Sequence, residues 1–144
     1  MRGDYVSIQI DEEIKQQLRR AFAKLVTPVK LVFFTQRNSC PACEQQRKLL
    51  EEVASLSDNI TLQVFDLVLH GDQSRTYRIT KIPATAVIGE KDYGIRFYGV
   101  TAGYEFTSLL ETIVMVSAGT SGLDPRLKAV VRGIREPVHL QVMV

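Results

Sequence analysis

Cys40 and Cys43 are the only cysteines in the 144-residue chain, and they stand three apart in Cys40-Pro41-Ala42-Cys43. Paired thiols at that spacing exchange disulfides, supply half of a zinc site, or close a small structural disulfide. Exchange needs an attacking thiolate and a second thiol close enough to displace the product from the mixed disulfide, and one tight turn supplies both. Zinc needs four ligands. The other soft donors, His70 in Leu69-His70-Gly71-Asp72 and His139 in the terminal run, have no metal-ligand spacing to another donor. Both read as surface histidines, and neither a metal nor a cofactor is expected.

The flanking residues say where the thiols sit. Val29-Lys30-Leu31-Val32-Phe33-Phe34, after Pro28, is a near-continuous apolar run that suits a strand buried on both faces. From Pro41 onward, Leu49, Leu50, Val53 and Leu56 recur on one face, while Glu44, Arg47, Lys48, Glu51 and Glu52 take the other. Cys40 therefore falls at the open end of an amphipathic helix, where unpaired N–H groups and the dipole favour a thiolate. It is the predicted nucleophile. Cys43, one turn inside, is shielded and predicted to resolve the mixed disulfide. Pro41 fits a first helical turn and stiffens the loop, Ala42 leaves room, and both are counted with the substrate-binding surface. Arg37, between Thr35 and Ser39, is a candidate for lowering the Cys40 pKa by its charge, against the plainer reading of a solvated arginine.

The remaining pattern predicts a scaffold around that motif. Asp11 reads as an N-cap for a helix carrying Ile14, Leu18, Ala21, Phe22 and Leu25, which runs to about Leu25. Ile60 to Phe65 reads as a second strand and Gln73 to Arg78 as a short helix. Ile82-Pro83 leads into a third strand, Ala84 to Ile88. Tyr93 to Tyr98 is a fourth, joined by a hairpin turn around Glu90 to Asp92, and a helix follows Gly103 and ends near Gly119. The order joins a βαβ unit to a β-hairpin and helix, which predicts an α/β thioredoxin fold over residues 1–119, a central mixed β-sheet flanked by helices. In that architecture a proline opening the strand beside the active site is usually cis. Ile82 and Pro83 are therefore predicted to bind substrate, with the Ile82 backbone pairing to an extended chain.

Residues 120–144 form a linker, then a helix opened by Asp124-Pro125 and carrying Leu127, Val130, Val131 and Ile134, then a strand-like run from Pro137 to Val144. That run echoes Pro28 to Phe34, at an offset of 137 minus 28, or 109 residues. A second copy would place its first cysteine near residue 149. The tail is expected to open a second unit of a longer protein; the plainer alternative is a strand that pads the edge of a single sheet.

Bulk composition excludes several classes. With 45% hydrophobic and 24% charged residues the chain fits a globular domain, and 18 basic against 16 acidic side chains mark no nucleic-acid binder. Met1-Arg2-Gly3-Asp4-Tyr5 leads into a charged amphipathic stretch rather than a secretory signal. No window matches a membrane span, so a cytoplasmic location is expected.

Phe33-Phe34 running into the cysteine motif, Lys81-Ile82-Pro83-Ala84-Thr85, and Tyr98-Gly99-Val100-Thr101-Ala102-Gly103-Tyr104-Glu105-Phe106 together resemble the N-terminal unit of the glutaredoxin-like protein disulfide oxidoreductases of hyperthermophiles. The resemblance spans about Asp11 to Ala118. It implies two thioredoxin-fold units, action on protein disulfides, a part in cell redox homeostasis, a thermophilic source, and a thioredoxin-reductase-like flavoprotein as reductant. Two departures stand out. Many members carry an aromatic residue where Ala42 stands, and thioredoxins proper carry a buried acid where this chain has Phe34. Proton transfer to Cys43 then needs another group or water, and Asp66 is the nearest acid by position, although it reads more simply as a turn residue. Two other functions compete: a metal or iron-sulfur carrier using the same thiolates across a dimer, and a non-catalytic docking module.

Overall fold

The computed structural model describes residues 10–144, and the Met1 to Tyr5 stretch read above lies outside them. The first helix, α1, spans Glu12–Phe22 and is capped by the Asp11 carboxylate, which accepts the Ile14 N–H at 3.0 Å. It ends three residues short of Leu25. There the Lys24 and Leu25 N–H groups turn back to the Ala21 and Phe22 carbonyls, each at 3.2 Å, which tightens the chain ahead of Pro28.

Strand β1 (Val29–Thr35) is an inner strand of a four-stranded mixed sheet. It runs parallel to β2 (Ile60–Asp66) and antiparallel to β3 (Ala84–Ile88), and β4 (Arg96–Tyr98) adds antiparallel to β3, giving the order β2-β1-β3-β4. Between β1 and β2 lies α2 (Pro41–Ser55), and between β2 and β3 lies α3 (Gly71–Thr76). The C-terminal helices are α4 (Tyr104–Ala118) and α5 (Pro125–Arg132).

Period-two alternation along β1 divides the core. Val29, Leu31 and Phe33 face one side and meet Phe22 of α1, Leu50 and Val53 of α2, and Leu109 and Ile113 of α4. Val32 and Phe34 face the other side and meet Ile79, Ala84, Ala86 and Ile88. Phe33 and Phe34 are both 0% exposed, and burying each contributes about 1.5–3 kcal/mol. Helix α4 lies so close to the end of β3 that a Cβ on Gly89 would meet the Val116 Cγ1 at 2.7 Å and its carbonyl oxygen at 2.8 Å.

Two further expectations need correction. The fourth strand does not begin at Tyr93, because Asp92 closes the turn by accepting the Gly94 N–H at 2.8 Å and pairing with the Arg96 guanidinium at 2.6 Å. Helix α3 starts two residues earlier than Gln73 and stops at Thr76. Its Ser74 and Thr76 hydroxyls donate to the Gly71 and Asp72 carbonyls, each at 2.9 Å. The run from Pro137 to Val144 forms no strand and pads no sheet edge. It is exposed, and a strand has no existence without a partner ladder. Helix α5 also buries no residue.

Candidate active site

Register brings the predicted site residues to one end of the sheet. Phe34 pairs with Ala84, so Pro83 enters β3 beside the point where β1 ends at Thr35, and the loop from there delivers Cys40 to the start of α2. Ser39, at φ 38°, turns the chain in left-handed backbone immediately before the helix. Cys40 is the N-cap of α2, and its Sγ accepts the Cys43 N–H at 3.2 Å. That N–H is one of the helix's orphan donors, so in the reduced protein the same position would stabilise a Cys40 thiolate. In the structure the two sulfurs form a disulfide with Cα atoms 5.1 Å apart. Access differs sharply: Cys40 is half-buried, whereas Cys43 is 1% exposed. Pro41 occupies the first helical turn and is exposed, with Ala42 half-buried beside it.

The Ile82–Pro83 bond is cis, as the position of the proline predicts. Ile82 and Cys40 pack against the same core cluster, and the Pro83 carbonyl accepts the Gly99 N–H at 2.8 Å. The loop after β4 is thereby fastened beside Pro83. On the opposite flank of β1, toward β2, a cleft of about 890 Å³ reaches both cysteines and is lined in addition by Arg37, Glu44, Asp66 and His70.

Asp66 serves the turn rather than the thiols. Its carboxylate accepts the Leu69 and Val68 N–H groups, both at 2.9 Å, while its own N–H donates to His70 Nδ1 at 2.8 Å. Those bonds, the one from Leu69 foremost, hold its pKa below the ordinary 3.8, and the Arg37 charge pushes the same way. A carboxylate so committed is a poor proton acceptor for Cys43. Arg37 is exposed in the loop before Cys40, and its charge also acts on Asp66. Phe34, where thioredoxins carry an acid, lies wholly buried with its ring 5.6 Å from that of Phe65 and 6.0 Å from that of Tyr77.

One set of residues near the site escaped the sequence reading. Gln46 is 0% exposed, one turn beyond Cys43, and its Oε1 accepts the Thr101 N–H at 2.8 Å. Its Nε2 lies 2.9 Å from Thr101 Oγ1 and 3.3 Å from Thr85 Oγ1, both also buried. The signal was present, because Cys43, Gln46, Leu50 and Val53 recur at helical spacing on the buried face of α2. A glutamine on that stripe reads as polar noise until its partners are seen.

No family model matches the chain. Among curated proteins it is 28% identical over 127 residues to a component of the alkyl hydroperoxide reductase of Pseudomonas aeruginosa, covering 87% of this chain and 22% of that protein. Among solved structures, the N-terminal domain of alkylhydroperoxide reductase AhpF from Enterococcus faecalis superposes at a TM-score of 0.76 with 28% identity, over 84% of this chain and 59% of that one. A protein disulfide oxidoreductase from Aeropyrum pernix superposes at 0.77 with 24% identity, over 88% and 56%. The chain has the thioredoxin fold. It spans about a fifth of the curated relative and somewhat more than half of the two solved chains. Within this fold Cys40 caps α2, the cis-proline precedes β3, and both stand at the same end of the sheet.

Proposed function

We propose that the chain is a protein thiol-disulfide oxidoreductase acting through a mixed disulfide, with Cys40 as nucleophile and Cys43 as resolving thiol. The observation that carries this reading is the unequal placement of one disulfide pair at a helix start. The half-buried sulfur receives the helix N–H, and its partner is sealed behind it. In the reducing direction the Cys40 thiolate attacks a substrate disulfide, forming a mixed disulfide and releasing one substrate thiolate, which takes up a proton. Cys43 then loses its proton and attacks the Cys40 sulfur. The mixed bond breaks, the second substrate thiolate leaves, and the Cys40–Cys43 disulfide holds the oxidising equivalents. A dithiol must return two electrons to close the cycle. Ile82 and Pro83 bind the substrate backbone, and Pro41 and Ala42 form the surface beside the attacked bond.

The finer assignments rest on the resemblance and the relatives. They are protein disulfides as substrates, a thioredoxin-reductase-like flavoprotein as electron source, a role in cell redox homeostasis in the cytoplasm, and a thermophilic source. The two relatives named for alkyl hydroperoxide reductase support a reductase context, and the echo between Pro28 and Pro137 supports residues 120–144 as the opening of a second unit after the unit of residues 1–119. No helix among the described residues is long and apolar enough to cross a membrane.

The test is reduction of a protein disulfide with dithiothreitol as electron source. Cys40→Ser is expected to lower the rate by about 10³-fold or more. Cys43→Ser, first reduced and then freed of dithiothreitol, is expected to trap the substrate as a mixed disulfide visible by mass. An unchanged rate in the first variant overturns the assignment, and failure to trap in the second favours the docking-module alternative.

A further inference from the structure

We infer that Gln46 is a positioning residue for exchange with protein substrates, fixing the distance between the cysteine helix and the substrate-binding segment around Pro83. The inference deepens the exchange reading and rests on it. It starts from a chain of short bonds. Cys43 and Gln46 lie one turn apart on the buried face of α2. Gln46 Oε1 accepts the Thr101 N–H at 2.8 Å, and two residues earlier in that loop the Gly99 N–H donates to the Pro83 carbonyl at 2.8 Å. Gln46 Nε2 also reaches Thr85 Oγ1, two residues beyond Pro83, at 3.3 Å. One side chain therefore joins the resolving cysteine's helix to both segments that flank the proline.

The amide has only one sensible orientation. The Thr101 N–H can only donate, so the carbonyl oxygen must face it, and the two donors of Nε2 then fall to Thr101 Oγ1 and Thr85 Oγ1. All three partners are buried, so loss of any bond strands a polar group away from water. Such bonds set direction as well as distance. An apolar side chain of equal volume would fill the space and let α2 slide against β3. A long, flexible disulfide substrate that pairs with the Ile82 backbone needs its sulfur delivered in line with Cys40 and Cys43, and small misplacements there are costly. A small disulfide that needs no backbone pairing is indifferent to that distance.

The experiment compares the wild type, Gln46→Leu and Gln46→Glu on two substrates, insulin and 5,5′-dithiobis(2-nitrobenzoate), and follows backbone amide resonances of the oxidised proteins. Gln46→Leu is expected to lose about tenfold in kcat/KM on insulin while staying within about twofold on the small disulfide. Resonances of Cys43, Ala84 and Thr101 are expected to move together. Gln46→Glu, whose protonated carboxyl keeps an acceptor and a donor, is expected to approach the wild type at mildly acidic pH and fall away at alkaline pH, each rate taken relative to wild type at the same pH. Equal losses on both substrates, no loss on either, or resonance changes confined to α2 overturn the inference. If the wild type leaves insulin intact, the exchange reading itself fails, and the resonances alone decide whether Gln46 couples the two segments.

Discussion

Asp66 illustrates how a single side chain is assigned once its partners are visible. Its place at the end of the second strand makes it the acidic candidate for proton transfer to Cys43. By structure one of its oxygens, Oδ1, accepts both the Leu69 and Val68 N–H groups, which lower its pKa. A carboxyl with a depressed folded pKa contributes to the turn above the ordinary value near 3.8, and the contribution is lost as pH falls through the lower folded value. A carboxyl-detected NMR titration is therefore expected to give a midpoint below 3.8, with the Val68 and Leu69 amide shifts following the same curve. The thiols were legible for the opposite reason. Cys40 and Cys43 announce themselves by type and spacing, and the start of an amphipathic helix places them without tertiary information. Gln46, Thr85 and Thr101 were not legible, because each is an ordinary polar residue whose role exists only when three separate segments converge.

Elements were readable where local signals set them and misread where tertiary contacts did. Helix α4 ends at Ala118, and Gly119, at φ 70°, is the left-handed cap that the sequence places there. By contrast, the connection between α1 and β1 is held from far away. Ser117 Oγ accepts the Val26 and Thr27 N–H groups at 2.9 and 3.0 Å and donates to the Thr27 carbonyl at 2.7 Å. No local pattern around Leu25 contains that serine. Ser117 is 2% exposed, and Ser117→Ala removes the acceptor of two N–H groups and the donor to the Thr27 carbonyl. The expected cost is about 1–3 kcal/mol, read as a lower midpoint in urea unfolding with an unchanged slope. An unaltered midpoint would show that water replaces the hydroxyl.

Across the whole molecule, the element order was legible, and the position of β1 inside the sheet follows from its near-continuous apolar run. The apolar residues of the tail satisfy a strand pattern while lacking, among the described residues, a strand to pair with. Leu140, Val142 and Met143 are 87%, 87% and 90% exposed, and α5 buries nothing. Removing residues 124–144 is therefore expected to change unfolding free energy by less than about 0.5 kcal/mol, measured by denaturant titration. A larger loss would place the tail on the domain. The uncharged amide of Gln46 has one more consequence at this scale. The ion pair Arg47–Glu51 and the charges around the cleft stand in water, where about 1 M salt shrinks the screening length to about 3 Å. Hydrogen bonds between a buried amide and two threonines do not respond to that screening. Concentrated electrolyte should slow the encounter with a charged partner and leave the reach from thiol to proline unaltered, so a salt series on one protein separates the approach of a substrate from its alignment.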